Sequence, residues 1–147
     1  MFQILPFEPH HIKWIGPASH DWDTLQVLAA NEDYGKMLHR RGPGFTAFRD
    51  ARPVGAAGLL FIWEGLAQVW AYLGMRGIGH QEFRAMRNGL KLLMDEHRLR
   101  RVQTEVLTEH AAAHRMIQRL GFVAEGQMEG FGVKGETYTR YALIRRL

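Results

Sequence analysis

Residues 66–97 read LAQVWAYLGMRGIGHQEFRAMRNGLKLLMDEH, and this stretch decides the fold. Its first part, 66–73, predicts a strand, because it is short, apolar and rich in aromatic residues. Spacings of three and four then indicate an amphipathic helix through Phe83, Met86, Leu90, Leu93 and His97. The glycine-rich junction 74–79 can turn backbone N–H groups toward an anion, and the helix N-terminus adds a positive dipole. The junction is therefore a candidate pyrophosphate site, with a plain turn as the alternative.

Upstream of this stretch the pattern is that of short strands and turns. Two further strands, Phe45 to Arg49 and Pro53 to Trp63, precede the first one, with turn signals at Asp50 to Arg52 and at Glu64-Gly65. Short turns between strands predict an antiparallel meander. The N-terminal part predicts a strand from Phe2 to Phe7, one or two helical turns from His10 to Ile15, and a helix capped by Asp21 that buries Trp22, Leu25, Leu28 and Ala29.

Downstream, strands and helices alternate. Val102 to Leu107 predicts a strand, and a helix follows through Ala113, Met116, Ile117 and Leu120 to a C-cap at Gly121. Val123 to Glu125 and Thr137 to Ile144 form a predicted hairpin whose long loop contains Gly126, Gly130, Gly132 and Gly135. Inside the long helix, Gly89 is expected to allow close packing on the sheet, since glycine there otherwise costs about 1 kcal/mol against alanine.

The resulting order of elements is β-α-α-β-β-β-α-β-α-β-β. A meander that feeds a strand–helix–strand crossover requires a mixed sheet with helices on both faces. We therefore expect an α/β (α+β) fold with a mostly antiparallel sheet of six or seven strands. The chain of 147 residues has no repeat or long linker, which predicts a single domain over residues 1–147.

Composition excludes several classes of protein. The chain has no cysteine, which excludes a disulfide scaffold, a thiolate zinc site and a cysteine nucleophile, and which favours the cytoplasm. No apolar run reaches the roughly 20 residues of a membrane span, and residues 1–11 do not resemble a signal peptide. The hydrophobic fraction of 46% is that of a globular protein.

The basic balance leaves a nucleic-acid-binding domain as an alternative. The net charge is +4 and the pI about 9.8. The arginines are spread along the chain, however, and no interleaved basic and aromatic surface is evident, so nucleic acid is not the expected partner. His110 and His114 could share one helix face, but no motif supplies a third ligand, and no metal site is expected.

Two segments together resemble the GNAT superfamily of acyl-CoA N-acyltransferases. In the phosphate loop, Gly77 and Gly79 match the family pattern, while Gly74 stands where glutamine or arginine is usual. In the later helix the matching residues are Ala113, Gly121 and Phe122, whereas His110 replaces an asparagine and Ile117 replaces a tyrosine. The resemblance covers nearly the whole chain. More narrowly, the chain is similar to small GNAT-like proteins of phages and prophages.

The resemblance implies an N-acetyltransferase that uses acetyl-CoA as acyl donor and acts on a primary amine of a small molecule, peptide or protein. Two neighbouring parallel strands would splay apart, and the pantetheine arm would pair with the backbone of Ala71, Tyr72 and Leu73. The pyrophosphate would bind the loop of Met75, Arg76, Gly77, Ile78, Gly79 and His80, with added attraction from Arg76, Arg84 and Arg87. The acceptor would contact His10 to Glu32 and Gly126 to Gly135; a homodimer is left open.

Three residues are candidates for catalysis: Tyr72, Glu105 and His110. Each has a purely structural alternative: an aromatic core residue, an edge carboxylate and a surface cap, respectively. The tyrosine that often serves as the acid in the family is replaced by Ile117. This departure keeps a second hypothesis open, in which the chain is a catalytically silent GNAT-like module that serves as a phage structural or interaction protein.

Overall fold

The computed structural model describes residues 1–15, 32–73 and 79–145, and nothing of the Glu32 side chain. Within these ranges the elements follow the predicted order. They are β1 (Phe2–Pro6), α1 (His11–Ile15), α2 (Glu32–Arg40), β2 (Gly44–Arg49), β3 (Arg52–Trp63), β4 (Leu66–Leu73), α3 (His80–Glu96), β5 (Arg101–Leu107), α4 (Ala111–Arg119), β6 (Val123–Met128) and β7 (Tyr138–Ile144). The helix predicted from Asp21 through Ala29 lies outside the described residues, whereas α2 lies in a segment for which the pattern predicts no element.

The described strands form one seven-stranded sheet in the order β1-β2-β3-β4-β5-β7-β6. The neighbours β4 and β5 are parallel, and the other five pairs are antiparallel. The expected mixed, mostly antiparallel sheet is therefore confirmed. Its one parallel pair is formed because α3 returns the chain across one face of the sheet between these two strands.

One face of the sheet, here the α3–α4 face, carries the larger core. Alternate residues of the strands point to it, such as Ala67 on β4 and Val102 on β5. Helix α3 contributes Leu93 and Met94, and α4 contributes Ile117. These apolar side chains repeat at helical spacing in the sequence, which explains why the amphipathic pattern located both helices.

The opposite face, here the α1–α2 face, carries a second core around Trp70 and Tyr72 of β4. Ile12 and Ile15 from α1 and Leu38 from α2 pack into it. Trp70 fits because β3 has glycine opposite its ring: a Cβ atom at Gly58 would lie 2.8 Å from the indole. Helices therefore cover both faces, as the element order predicted.

Three glycines differ from their predicted settings. A Cβ atom on Gly89 would meet no atom within 4 Å, so this glycine faces open space and the prediction of close packing is wrong. Leu120 is the C-cap of α4, and Gly121 follows it with φ +100°. Gly126 lies within β6 beside a register shift, not in the hairpin loop.

Candidate functional site

Strands β4 and β5 diverge along their length. Their parallel pairing covers only Leu66–Gln68 and Arg101–Gln103. One step further, the Thr104 hydroxyl donates a hydrogen bond of 3.1 Å to the Val69 carbonyl, so a side chain bridges a widening gap. β5 stays paired with β7 as far as Leu107. In the described part of the chain, the last five residues of β4, Val69 to Leu73, therefore have no strand partner on their β5 side.

The predicted pantetheine-binding residues lie at this free edge. Ala71, Tyr72 and Leu73 pair with β3 on their other edge, and backbone groups on the β5 side are available to an extended ligand. Of the predicted phosphate loop, the structure describes only Gly79 and His80. Four other residues of that loop lie outside the described ranges: Met75, Arg76, Gly77 and Ile78.

The start of α3 is the described end of that loop. Gly79 is the N-cap, and His80, the first helical residue, is exposed. The Gly79 N–H donates to the Glu82 carboxylate at 2.9 Å, and Arg49 forms an ion pair with the same carboxylate. Burial opposes ionisation of Glu82, but these hydrogen bonds outweigh it and hold its pKa below the ordinary value. A phosphate would therefore compete with Glu82 for the Gly79 N–H.

On the α1–α2 face of the gap, the carboxylate of Glu105 is held by its neighbours. Gln68 of β4 donates to one oxygen at 2.5 Å, and Arg140 of β7 donates to the other at 2.8 Å. Glu105 is 13% exposed. Glu105 lies one residue beyond the bridge from Thr104 to Val69, and its role beside the cleft stays a prediction.

Tyr72 lies on the same face, and its hydroxyl is buried without a hydrogen-bond partner in the described chain. The Tyr34 ring is centred 6.3 Å away, and its hydroxyl lies beside that of Tyr72 without meeting hydrogen-bond geometry. Burial raises the pKa of Tyr72 well above its usual range, and Tyr34 raises it further. The pKa of Tyr34 is also raised, mainly by burial. The neighbouring Tyr72 hydroxyl lowers it in part, and the charge of Glu105 adds to the increase. Both phenols are therefore protonated at neutral pH.

His110 is the N-cap residue of α4, and its ring makes no capping hydrogen bond to that helix. The backbone N–H of His110 donates to Leu107 at 2.9 Å, which closes the turn after β5. The third catalytic candidate thus begins α4 beyond the end of β5, whereas Tyr34 packs against Tyr72 and is near enough to Glu105 for its charge to act on the Tyr34 phenol.

His114 links α4 to the sheet by hydrogen bonds on the α3–α4 face. Its Nε2 lies 2.9 Å from the Thr108 carbonyl and 3.2 Å from that of Leu107, so this nitrogen carries the proton. Its Nδ1 then accepts a hydrogen bond of 2.6 Å from the Tyr141 hydroxyl. Ile117, which replaces the family's tyrosine, is 5% exposed in the α3–α4 core.

Sequence reasoning missed three members of the site: Tyr34, Gln68 and Arg140. Gln68 lies four residues before Tyr72 on β4 and could have been placed on the same face, because side chains an even number of residues apart share a face of a strand. Arg140 was beyond reach, since only the β5–β7 register sets it opposite Glu105. The described residues hold no group of three or more metal-ligating side chains and no helix long and apolar enough to cross a bilayer.

Comparison with known proteins finds similarity in structure and none in sequence. No protein-family model matches the sequence, and no curated protein matches it. Among solved structures, an acetyltransferase of the GNAT family from Streptococcus pneumoniae superposes with a TM-score of 0.73 at 17% identity, covering 99% of this chain and 100% of that one.

Two further structures have more specific activities. The ribosomal-protein-S5-alanine acetyltransferase of Vibrio fischeri gives a TM-score of 0.70 at 15% identity, covering 98% of this chain and 93% of that one. A chimera of the Vibrio cholerae spermidine N-acetyltransferase gives 0.71 at 16% identity, covering 97% and 95%. Sequence identities of 15–17% show only that the fold is shared. The element order, the parted β4–β5 pair and these superpositions agree: this chain has the GNAT N-acetyltransferase fold.

Proposed function

We propose that this chain is an N-acetyltransferase that transfers an acetyl group from acetyl-CoA to a primary amine. The observation that carries the proposal is the parting of β4 and β5 beside Glu105 and Tyr72. The free edge of β4 offers backbone groups to the pantetheine arm, and the loop before α3 offers glycines to the pyrophosphate. The proposal treats residues 1–147 as a single domain in the cytoplasm.

Acyl transfer needs positioning and control of two protons. The amine nitrogen forms a bond to the thioester carbonyl carbon, and the carbon–sulfur bond breaks. Glu105 receives the proton that the amine loses, directly or through one water molecule. Tyr72 donates a hydrogen bond to the leaving thiolate, because its raised pKa keeps the phenol protonated. The thiolate then takes a proton from solvent and leaves as the free thiol, and Glu105 returns its proton to solvent. In this proposal Tyr72 takes the role for which Ile117 is unsuited.

The acceptor is an amine of a small molecule, peptide or protein. Two proteins of the same fold act on spermidine and on ribosomal protein S5. In this chain the acceptor side is the α1–α2 face, where Glu105 and the Tyr34 hydroxyl lie beside the gap. The ring of Phe131, from the β6–β7 hairpin, contacts Tyr138 at 5.2 Å between centroids and forms an exposed wall farther along this face.

A catalytically silent module is the second candidate function. Three observations favour it: Ile117 in place of the tyrosine, the Gly79 N–H already bonded to Glu82, and both oxygens of Glu105 already bonded. Such a module would retain the fold and interact with a protein partner, for example in a phage particle. It predicts no turnover with any amine.

The first test is calorimetric titration with acetyl-CoA of three proteins. Wild type should bind, Gly77→Glu should not, and Gln3→Glu should bind as wild type does, because it adds the same charge on the edge strand β1. Absence of binding to the wild type would overturn the proposal. Binding of DNA or RNA with a steep salt dependence would instead favour the nucleic-acid alternative.

The second test is turnover on an amine panel that contains spermidine and a peptide with an N-terminal alanine. Acetylated product and free thiol should appear in equal amounts with the wild type. Glu105→Gln should lower kcat by about 100-fold, the scale of a lost general base. Binding of acetyl-CoA without turnover on any amine would favour the silent module.

A further inference from the structure

A cavity of about 380 Å³ lies on the α3–α4 face, between α3 and strands β2–β4. Small residues form much of its walls: Ala47, Gly55 and Ala57 from the sheet, and Ala85 and Gly89 from the helix. Among the described residues that line it, Glu82 has the one polar side chain. That carboxylate is already engaged by Arg49 and by the Gly79 N–H. The cavity therefore offers an almost wholly apolar surface.

Gly89 contributes to this space without a packing reason to be glycine. A Cβ atom there would meet nothing within 4 Å, and its φ is not in the left-handed region. Glycine in the interior of a helix is unfavourable compared with alanine. A residue that weakens its own helix and borders a cavity is best explained by the room it leaves for a ligand.

The cavity reaches the parted strands from the side opposite Glu105 and Tyr72. Val69 and Leu73 of β4 and Ile117 of α4 line it. The Val69 carbonyl also accepts the hydrogen bond from the Thr104 hydroxyl of β5, so the cavity adjoins the point where the gap begins. Because residue 117 is isoleucine and not tyrosine, it brings no hydroxyl group to this end of the cavity.

We infer that this cavity binds the acyl chain of a coenzyme A thioester longer than acetyl. The inference rests on the proposed function, which places the thioester at the β4–β5 gap. An apolar cavity of about 150 Å³ holds a benzene ring, so 380 Å³ accommodates a saturated chain of roughly eight to twelve carbons. A chain that ends in a carboxylate or hydroxyl group would be rejected, because the lining offers no unengaged polar side chain among the described residues.

The test is the dissociation constant of a series of thioesters, from acetyl-CoA through butyryl-, hexanoyl- and octanoyl- to dodecanoyl-CoA. Each added methylene should tighten binding about threefold to fourfold until the cavity is full. Gly89→Met should abolish this gain for octanoyl-CoA and leave the affinity for acetyl-CoA unchanged. Asn88→Met is the matched control, since it adds the same side chain at an exposed position of α3.

The possible outcomes separate the two claims. Equal affinity for acetyl-CoA and octanoyl-CoA would overturn the inference and leave the proposed function standing. A gain with chain length that persists in Gly89→Met would also overturn it, because the chain would then bind elsewhere. Failure of every ester, acetyl-CoA included, would overturn the proposed function and the inference together.

Discussion

Arg140 on β7 lies directly opposite Glu105 on β5, and its guanidinium donates a hydrogen bond of 2.8 Å to the Glu105 carboxylate. The pair is partly shielded, with exposures of 33% for Arg140 and 13% for Glu105. The arginine Nε is buried without a hydrogen-bond partner in the described chain. Arg140 thus fixes the orientation of the candidate base at the edge of the gap.

We expect a double-mutant cycle between Glu105→Gln and Arg140→Met to give a coupling free energy of about 1 kcal/mol, reduced from a buried pair by partial exposure. Urea unfolding of the four proteins measures it. The Arg145 and Asp95 pair, whose carboxylate is 56% exposed, is the control and should couple more weakly. Zero coupling at Arg140 would mean that the pair does not orient the carboxylate.

Most of the fold could be predicted from local sequence patterns. The bounds of β4 were predicted as Leu66 to Leu73 and are observed there, because glycines flank this stretch in the sequence and its side chains alternate between two cores. Likewise α3 and α4 were located by apolar residues at helical spacing. The helix Glu32–Arg40 was not predicted although Tyr34, Met37 and Leu38 recur at helical spacing, because the stretch is short and Gly35 lies inside it.

The site was less predictable because its contacts are distant in sequence. Glu105 and Arg140 are 35 positions apart and meet because β7 inserts between β5 and β6. No local pattern fixes that insertion. The cavity could not be foreseen either, since Gly89 reads as a packing glycine until the space beside it is known.

Replacing Tyr72 by phenylalanine separates a structural role from a catalytic one. The hydroxyl is buried and unpaired in the described chain, so its removal should leave stability unchanged or raise it by up to about 1 kcal/mol. If Tyr72 assists the leaving sulfur, kcat should fall by about 10- to 100-fold. Thermal unfolding and turnover of the same sample measure both effects.

Tyr141→Phe is the matched control, because the Tyr141 phenol is buried on the α3–α4 face, where it bonds His114. It should lower stability and leave kcat unchanged. A Tyr72→Phe protein of normal stability and full activity would show that the phenol has no part in the reaction.

His114→Ala should destabilise the protein by about 2 kcal/mol. The Tyr141 hydroxyl is buried and would lose its 2.6 Å partner, keeping only a 3.4 Å hydrogen bond from Gln118, and the Thr108 carbonyl would lose a donor. Urea unfolding measures the loss. His39→Ala, at an exposed position of α2, should change stability by less than about 0.5 kcal/mol. Equal effects of the two substitutions would contradict an anchoring role for His114.

Glu82→Gln tests the start of α3 through its pH dependence. Because the folded pKa of Glu82 lies below its ordinary 4.5, the ionised form stabilises the fold above that pH, and this stabilisation is lost as the pH falls through the folded value.

The free energy of unfolding of the wild type should therefore exceed that of Glu82→Gln by about 1 kcal/mol at pH 7, a modest figure since Arg49 is 45% exposed. The difference should shrink as the pH falls below 4.5 and through the folded value, as measured by urea unfolding across pH. Glu96→Gln, at the exposed end of the same helix, is the control and should give no such convergence. A constant difference between wild type and Glu82→Gln at every pH would mean that shape and not charge makes Glu82 important, and the carboxylate would then not guard the Gly79 N–H.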